Sequence, residues 1–457
     1  MEERMVKKLS ALLFAAGIIL GSGITSMGAG FQSMGYQAMS MGGAGVAYSN
    51  GSYAAYYNPA LLASHKYGVE ISVSPGVGFR EHNLADHIDR LADIGIQDTF
   101  DQISNLNFPD IESTDIGSAI TPDNADYASL RRDLQTIQTE LGAMSTGNGF
   151  ELTPGVGLGI QVRSFGFGAY GVSDLTASAV IDSQRLDIVV PVEANGAQYY
   201  VQYDPESDSF TLRDQAYYEN NSLDYAIQEQ TTTVNVKGVA YLEVPFAYGY
   251  QFDTGLGKLS LGGAVKIMSG RTYMMEKPID SESEDILEDL ESTEKKTTTF
   301  GLDAGAQLIP AGIENLSLGM VMKNINTPKF DVIDGSKIEF KPQVRIGAAY
   351  NAMLDRLTFA MDMDLTNNDG MIPGYKEQYI GGGVDFHPFS WFSVRAGMMK
   401  NLKESDEGNI MTAGLGFGSK WLQLDIAGQY STEEGRYDGE KMPRYGRVQV
   451  SLVSRWF

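Results

Sequence analysis

The chain contains no cysteine, which excludes a disulfide framework and any thiolate metal site. Beyond the N-terminus it also lacks an apolar run of about 18 residues, so no helix is written to cross a membrane. Basic side chains are scarce: 34 Lys and Arg stand against 58 Asp and Glu, for a net charge of -24. Such a balance excludes a nucleic-acid-binding surface, which needs clustered Lys and Arg to neutralise phosphates. Histidine is rarer still, with His65, His82, His87 and His387 the only four. No Ser, His and acid grouping emerges to activate a nucleophile. His82 and His87 miss the three- or four-residue spacing that places side chains together on a helix, and two imidazoles alone do not hold a metal. The expectation is a protein with no catalytic residue, no cofactor and no metal ligand.

What the sequence does have is alternation. Leu357, Phe359, Met361, Met363 and Leu365 point one way, while Thr358, Ala360, Asp362, Asp364 and Thr366 point the other. A strand has a side-chain period of two, so a sheet between lipid and a wet lumen must read this way. Fourteen such stretches are found, at roughly 68-80, 151-163, 165-180, 234-252, 257-275, 297-308, 314-325, 343-352, 356-367, 376-387, 391-401, 410-419, 421-432 and 445-457. Their connections alternate between brief turns, such as Arg163 to Phe165 or Gly418 to Trp421, and long loops, such as 81-150, 181-233 and 326-342. Short turns on one side and long loops on the other are the asymmetry of outer-membrane barrels. The reading is all-β: a 14-stranded antiparallel transmembrane β-barrel over 67-457. Trp391, Trp421 and Trp456 all fall at the short-turn side, where an amphipathic ring suits the lipid–water boundary. Tyr379, Tyr430 and Tyr445 are expected in the opposite girdle.

The N-terminus reads as an address. Arg4, Lys7 and Lys8 precede the apolar stretch Leu9 to Leu20 and the small residues Ser26, Gly28, Ala29 and Gly30, the layout of a secretory signal over 1-29. Residues 30-66 follow, almost without charge and rich in Gly, Ala, Met and Tyr. Fourteen strands enclose more volume than their own side chains fill, so this segment is expected to form an N-terminal hatch in the lumen. Asn58 suits a helix cap and Pro59 a first turn. The inward-phase glycines, as in Gly155, Gly157 and Gly159 or Gly414, Gly416 and Gly418, permit another segment to approach closely.

The long connections differ in character. In 81-150, Leu84, Ile88, Leu91 and Ile94 recur at helical spacing, as do Leu130, Leu134, Ile137 and Leu141, implying a helical extracellular insertion. The loop 181-233 reads as an extra hairpin. The acidic loop 276-296 could gather divalent cations, but a charge run of this kind is usually a solvated loop. Inside the barrel, Asp303, Asp362, Asp364, Asp385, Arg395 and Asp425, with Arg163, Arg345, Lys266 and Lys323, either set permeation or pair to hold a closed lumen together.

AMSMGGAGVAYSNGSYAAYYNPALLA, residues 38 to 63, resembles the N-terminal signature of the long-chain fatty-acid transporter (FadL-like) superfamily. Within it, the stretches ADHIDRLADIG, VKGVAYLEVPFAYGY, KPQVRIGAAYNAM, FAMDMDLTNND and EQYIGGGVDF resemble the conjugal transfer protein TraF-type outer-membrane family. The resemblance implies a monomeric barrel in the Gram-negative outer membrane, with Gly42, Gly43, Gly45, Asn58, Pro59 and Ala60 as the hatch motif and both mature termini periplasmic. Implied partners are outer-membrane lipid and lipopolysaccharide, the barrel assembly machinery and a small hydrophobic ligand, with no nucleic acid. In the transporter branch small hydrophobic compounds enter at the outer mouth and leave sideways through a gap in the wall. The alternative is a non-transporting envelope component, associated with conjugal transfer or serving as a scaffold.

Overall fold

The structure is a computed structural model that describes residues 32–64, 68–92, 94–123, 128–144, 147–278, 292–353, 356–419, 421–437 and 440–456. The expected signal segment, most of the acidic loop and Phe457 lie outside them.

Fourteen antiparallel strands form one closed wall. They are β1 (Val69–His82), β2 (Gly149–Leu152 continuing as Gly155–Val162), β3 (Phe165–Val180), β4 (Thr233–Thr254), β5 (Gly257–Pro278), β6 (Lys295–Pro310) and β7 (Leu316–Lys323). The second half comprises β8 (Gln343–Ala352), β9 (Leu357–Asp364), β10 (Tyr379–Phe389), β11 (Phe392–Asn401), β12 (Asn409–Ser419), β13 (Leu422–Ser431) and β14 (Tyr445–Trp456). Each strand pairs with its neighbours in the chain, and β14 closes on β1 from Val69↔Trp456 to Arg80↔Tyr445. Closure leaves no edge, so backbone groups within lipid are paired. The break in β2 falls at Pro154, which has no N–H to give the ladder, and the register is the same on both sides of it.

The outward phase is apolar along the whole wall. On β4 alone Leu242, Phe246, Tyr248, Tyr250 and Phe252 are exposed. No described helix is long and apolar enough to cross a membrane; the strands do the crossing. At the short-turn rim Trp421 and Trp456 meet edge to face, with ring centroids 5.4 Å apart, and Trp391 stacks on Phe389 at 5.6 Å. Tyr430 stands outward near the opposite rim. Tyr379 and Tyr445 do not join it: both turn inward, where the Tyr379 hydroxyl accepts a bond from Arg80 and the Tyr445 hydroxyl donates to Gln429 on the neighbouring strand.

The lumen holds residues 32–64. They form short helices at Tyr36–Ser40 and Gly51–Tyr57 and a 3-10 turn at Pro59–Ala63, in which the Asn58 side chain accepts the Ala60 N–H at 3.0 Å. Their main chain lies directly on the wall. A Cβ at Gly262 would stand 2.3 Å from the Ala60 nitrogen, and one at Gly381 would stand 2.0 Å from the Gly42 carbonyl oxygen. Gly159 and Gly319 meet the main chain of Ser52 and Val46 in the same way, and Gly414 makes room for the Ser40 side chain.

Above the long-loop rim, residues 83–148 and 181–232 build a single cap. The two helices expected in the first loop are Ala85–Ala92 and Ala128–Met144, and a further helix, Ile96–Ser104, lies between them. The second loop is more than a hairpin. Its strands Ile188–Ala194, Ala197–Asp204 and Ser209–Arg213 take Ala119–Ile120 of the first loop as a fourth strand, and two short helices follow. One apolar core joins both loops, through Phe100, Leu134 and Ile137 against Ile188, Val190 and Phe210. These segments carry 22 acidic and 5 basic side chains, so most of the acid excess of the chain sits outside the wall.

Within the cap, burial alone would raise the Glu140 carboxyl, but hydrogen bonds from Arg90 and His87 outweigh it and hold the group below its ordinary value of 4.5. A depressed carboxyl gives stability that is present above its unfolded value and lost as pH falls. Protection of the amides in 83–148, taken relative to the intrinsic exchange rate at each pH, should therefore fall as the pH drops below about 4.5, and Glu140→Gln should flatten that dependence. The glycine contacts give a second expectation. Gly262→Val, or deletion of residues 31 to 63, should convert a sealed barrel into one that conducts in planar bilayers; unchanged conductance in both variants would show that something else seals the lumen.

Candidate functional site

The lumen is divided lengthwise. One side is apolar and aromatic. Tyr170 and Val172 of β3, Val239 and Tyr241 of β4, Met268 of β5 and Val321 of β7 face inward and are all buried in one cluster. From below, Met34, Tyr53, Tyr56 and Tyr57 of the hatch close against it; from above come Phe330, Val332, Ile338 and Phe340 of the β7–β8 loop. The rings touch in sequence: Tyr56 to Tyr170 at 5.1 Å, Tyr241 to Phe340 at 5.1 Å and Phe340 to Phe330 at 5.3 Å between centroids. These are the offset and edge-on distances at which aromatic pairs attract. A continuous apolar column thus runs from the long-loop rim to the hatch.

The sequence shows this column weakly. Its members come from four strands and a loop, and each strand contributes only two or fewer. The available signal is the loss of alternation in VKGVAYL, residues 236 to 242, where both faces of β4 become apolar. That segment is half inside the barrel and half beneath the cap.

The other side, from β8 to β13, is ionic, and a second ionic group sits next to the apolar cluster on β4 to β7; the charged residues singled out from the sequence lie in these groups in pairs. Arg345 grips Asp364 with two bonds of 2.7 and 3.0 Å. Asp362 accepts the Gly45 and Val46 N–H groups of the hatch at 2.8 and 2.9 Å. Arg395 lies between Asp425 at 2.7 Å and Asp385 at 3.1 Å, with its guanidinium 4.6 Å from the Tyr36 ring. Asp303 meets Lys266 at 3.0 Å, and Lys266 also meets Glu243 at 3.1 Å. Lys323 completes that group with its ammonium 3.7 Å from the centre of the Tyr56 ring. Glu243 was not expected; it sits on the apolar stretch of β4 and shows no partner in sequence. Arg163 is not in the lumen. It occupies the β2–β3 turn at φ 52° and faces solvent.

Toward the long-loop rim a third group surrounds Arg80, which bonds Glu151, Glu377 at 2.8 Å and Glu407 at 3.1 Å, and lies over the Tyr375 ring at 4.9 Å. Beside it a cavity of about 40 Å³ is lined by Ser33, Gly42, Arg80, Glu151, Arg345 and Glu377. That volume admits a few waters and is far below the about 150 Å³ that takes a benzene ring. The pairing of the wall is interrupted beside Pro75 in the β1–β14 seam, between Val73↔Leu452 and Gly76↔Gln449, and again near the foot of the apolar column. Between β3 and β4 the pairing runs from Phe165↔Tyr248 to Phe167↔Phe246 and resumes at Tyr170↔Glu243, skipping Gly168 and Ala169 against Pro245 and Val244. Pro245 cannot donate to the ladder there.

The family model described as "F plasmid transfer operon, TraF, protein" matches residues 55–364, more than half of the chain. The chain belongs to that family. No curated protein matches it. Among solved structures, the Ralstonia pickettii toluene transporter TbuX is similar at 12% identity with a TM-score of 0.48, over 93% of this chain and 99% of that one. The P. putida toluene transporter TodX is similar at 12% identity and a TM-score of 0.42, over 93% and 99%. A Pseudomonas aeruginosa FadL homologue stands at 13% and 0.43, over 95% and 100%.

In this TraF-family barrel the lumenal charges act as fasteners. Asp303, Asp364, Asp385, Arg395 and Asp425 are each matched by an opposite charge and Asp362 by main-chain N–H groups, and removing one partner of such a set leaves the other unpaired in a poor solvent. Loss of a buried partner costs about 3–5 kcal/mol. Arg395→Met, which strands Asp385 and Asp425, should lower the temperature at which the heat-modifiable folded band disappears on gels, whereas Lys441→Met on an exposed loop pair should not.

Proposed function

We propose that the protein is an outer-membrane channel for small, neutral, hydrophobic solutes. The observation that supports this is the apolar column: an aqueous pore for polar solutes gains nothing from lining one side with Tyr170, Val172, Val239, Tyr241 and Met268. A secretory signal followed by a lipid-facing barrel favours the outer membrane, with the short turns and both mature termini on the periplasmic side. A solute would arrive at the long-loop rim, descend along the aromatic rings and meet Tyr56. The hatch blocks the axis below that point, held by Asp362, by Asn58 on the Ala306 carbonyl oxygen at 3.1 Å and by the glycine contacts. The exit that fits is sideways, through the unpaired stretch of β3 and β4 at Pro245.

A second reading is favoured by the cap. Two insertions with their own core are more than a solute path needs, and they suit a non-transporting envelope component that meets another protein during conjugal transfer. The two readings part on one experiment. Ala169 and Val244 face each other on the outer phase where the ladder is open, and the chain has no native cysteine. In a deletion strain complemented with Ala169→Cys, Val244→Cys, oxidation should abolish uptake of radiolabelled naphthalene and reduction should restore it. Uptake that is normal in the deletion strain itself, together with lost plasmid transfer, would sink the channel reading in favour of the second.

A further inference from the structure

The β7–β8 loop does not stand away from the barrel. Its strands Lys329–Asp331 and Lys337–Glu339 form a hairpin that turns back over the mouth and puts Phe330 at 0% and Phe340 at 2% exposure. A loop on a membrane protein has no need to bury two phenylalanines inside the lumen of that protein. The place they fill is built for a ring. Gly270 of β5 faces inward, and a Cβ there would fall 2.3 Å from Cε1 of Phe330, so the wall omits a side chain where the ring lies. Tyr241 and Phe340 flank it, with centroids 6.3 and 5.3 Å away. Val239, Met268 and Met371 belong to the same cluster.

The tethers of the hairpin are fewer and more exposed than those of the hatch. Asp331 donates its N–H to Thr297 at 3.0 Å, and its carbonyl oxygen accepts the Thr272 hydroxyl at 2.8 Å. Its own rungs are closed by the pairs Lys329 with Glu339 and Lys337 with Asp331, all of them at the surface. Exposed ion pairs of this kind contribute little. The hairpin therefore holds the barrel mainly through its two rings.

We propose that the socket formed by Gly270, Tyr241 and Phe340 is the outer binding subsite of the channel, that it takes a flat single-ring apolar solute, and that Phe330 is the stopper such a solute displaces. This rests on the channel reading above. The chemistry of recognition is on display in the resting protein, since the socket already accommodates a benzyl ring with no polar partner. Displacing Phe330 exchanges one apolar ring for another, which leaves buried area nearly constant and makes the step feasible without a large driving force. A long flexible chain would not reproduce the flat contact with Gly270.

Two variants and one lock test this. In crystals of Phe330→Ala soaked with iodobenzene, anomalous iodine density should lie beside Gly270 and Tyr241; its absence at saturating iodobenzene would overturn the subsite. Phe330→Ala should raise uptake of radiolabelled benzene several-fold, and Gly270→Ala added to it, whose Cβ would occupy the place of the ring, should remove the iodine density. Thr297→Cys with Asp331→Cys fixes the hairpin once oxidised. Uptake should then fall to the level of the deletion strain and recover on reduction, and unchanged uptake in the oxidised form would overturn the stopper. Should wild-type cells take up no more benzene than the deletion strain while iodobenzene still seats in Phe330→Ala, the channel reading fails and the subsite stands.

Discussion

The main chain of the hatch rests on the main chain of the wall, and this contact is possible only where the wall has no side chain. Everything else in the lumen follows from it. A closed sheet of fourteen strands presents lipid with no edge, and it does so at the expense of an interior too wide to fill from its own residues. Filling it with a second segment requires that segment to bury its own N–H and C=O groups. Asp362, Glu70, Thr412 and Gln429 supply wall partners for the amides and carbonyls at Gly45, Ser52, Gly42 and Met39. Glycines such as Gly262 and Gly381 let the segment come close enough for those bonds to form.

The same contact explains why the lumen has two sides of opposite character. Wherever the hatch backbone is held by carboxylates, counter-charges must be nearby, and Arg345, Arg395 and Arg455 gather on that side. The tyrosines of the helix Gly51–Tyr57 face the other way, and the wall answers them with rings and aliphatic groups from β3, β4 and β5. Lys323 marks the border, with its ammonium over the Tyr56 ring on one flank and Glu243 at 3.8 Å on the other. An amphipathic plug has produced an amphipathic lumen.

All fourteen strands were legible because lipid imposes a period of two on every crossing, and connection lengths of opposite kinds fix which rim each turn belongs to. The hatch was legible from its missing charge, and Asn58 with Pro59 from elementary cap chemistry. Tyr379 and Tyr445 misled because a ring at membrane-boundary height is assigned to lipid by habit, while Arg80 offers a stronger partner inside. The joint cap escaped for a different reason: Ala119–Ile120 pairs with Ser209–Arg213 across some ninety residues of intervening chain that include β2 and β3, and no local pattern announces such a partnership. The apolar column is hidden likewise, since Tyr170, Tyr241 and Phe330 acquire meaning only when three distant segments meet.

The seam between β1 and β14 joins residues as far apart as Val69 and Trp456. Bringing together ends so widely separated has an entropic cost that grows with the logarithm of the loop, and contacts of this span are the slowest to form. The hatch precedes β1 in the chain yet bonds Thr412 of β12 and Gln429 of β13. The barrel must therefore be wrapped around its own beginning by its own end, and no truncated chain short of Trp456 can present lipid with a sheet that has no edge.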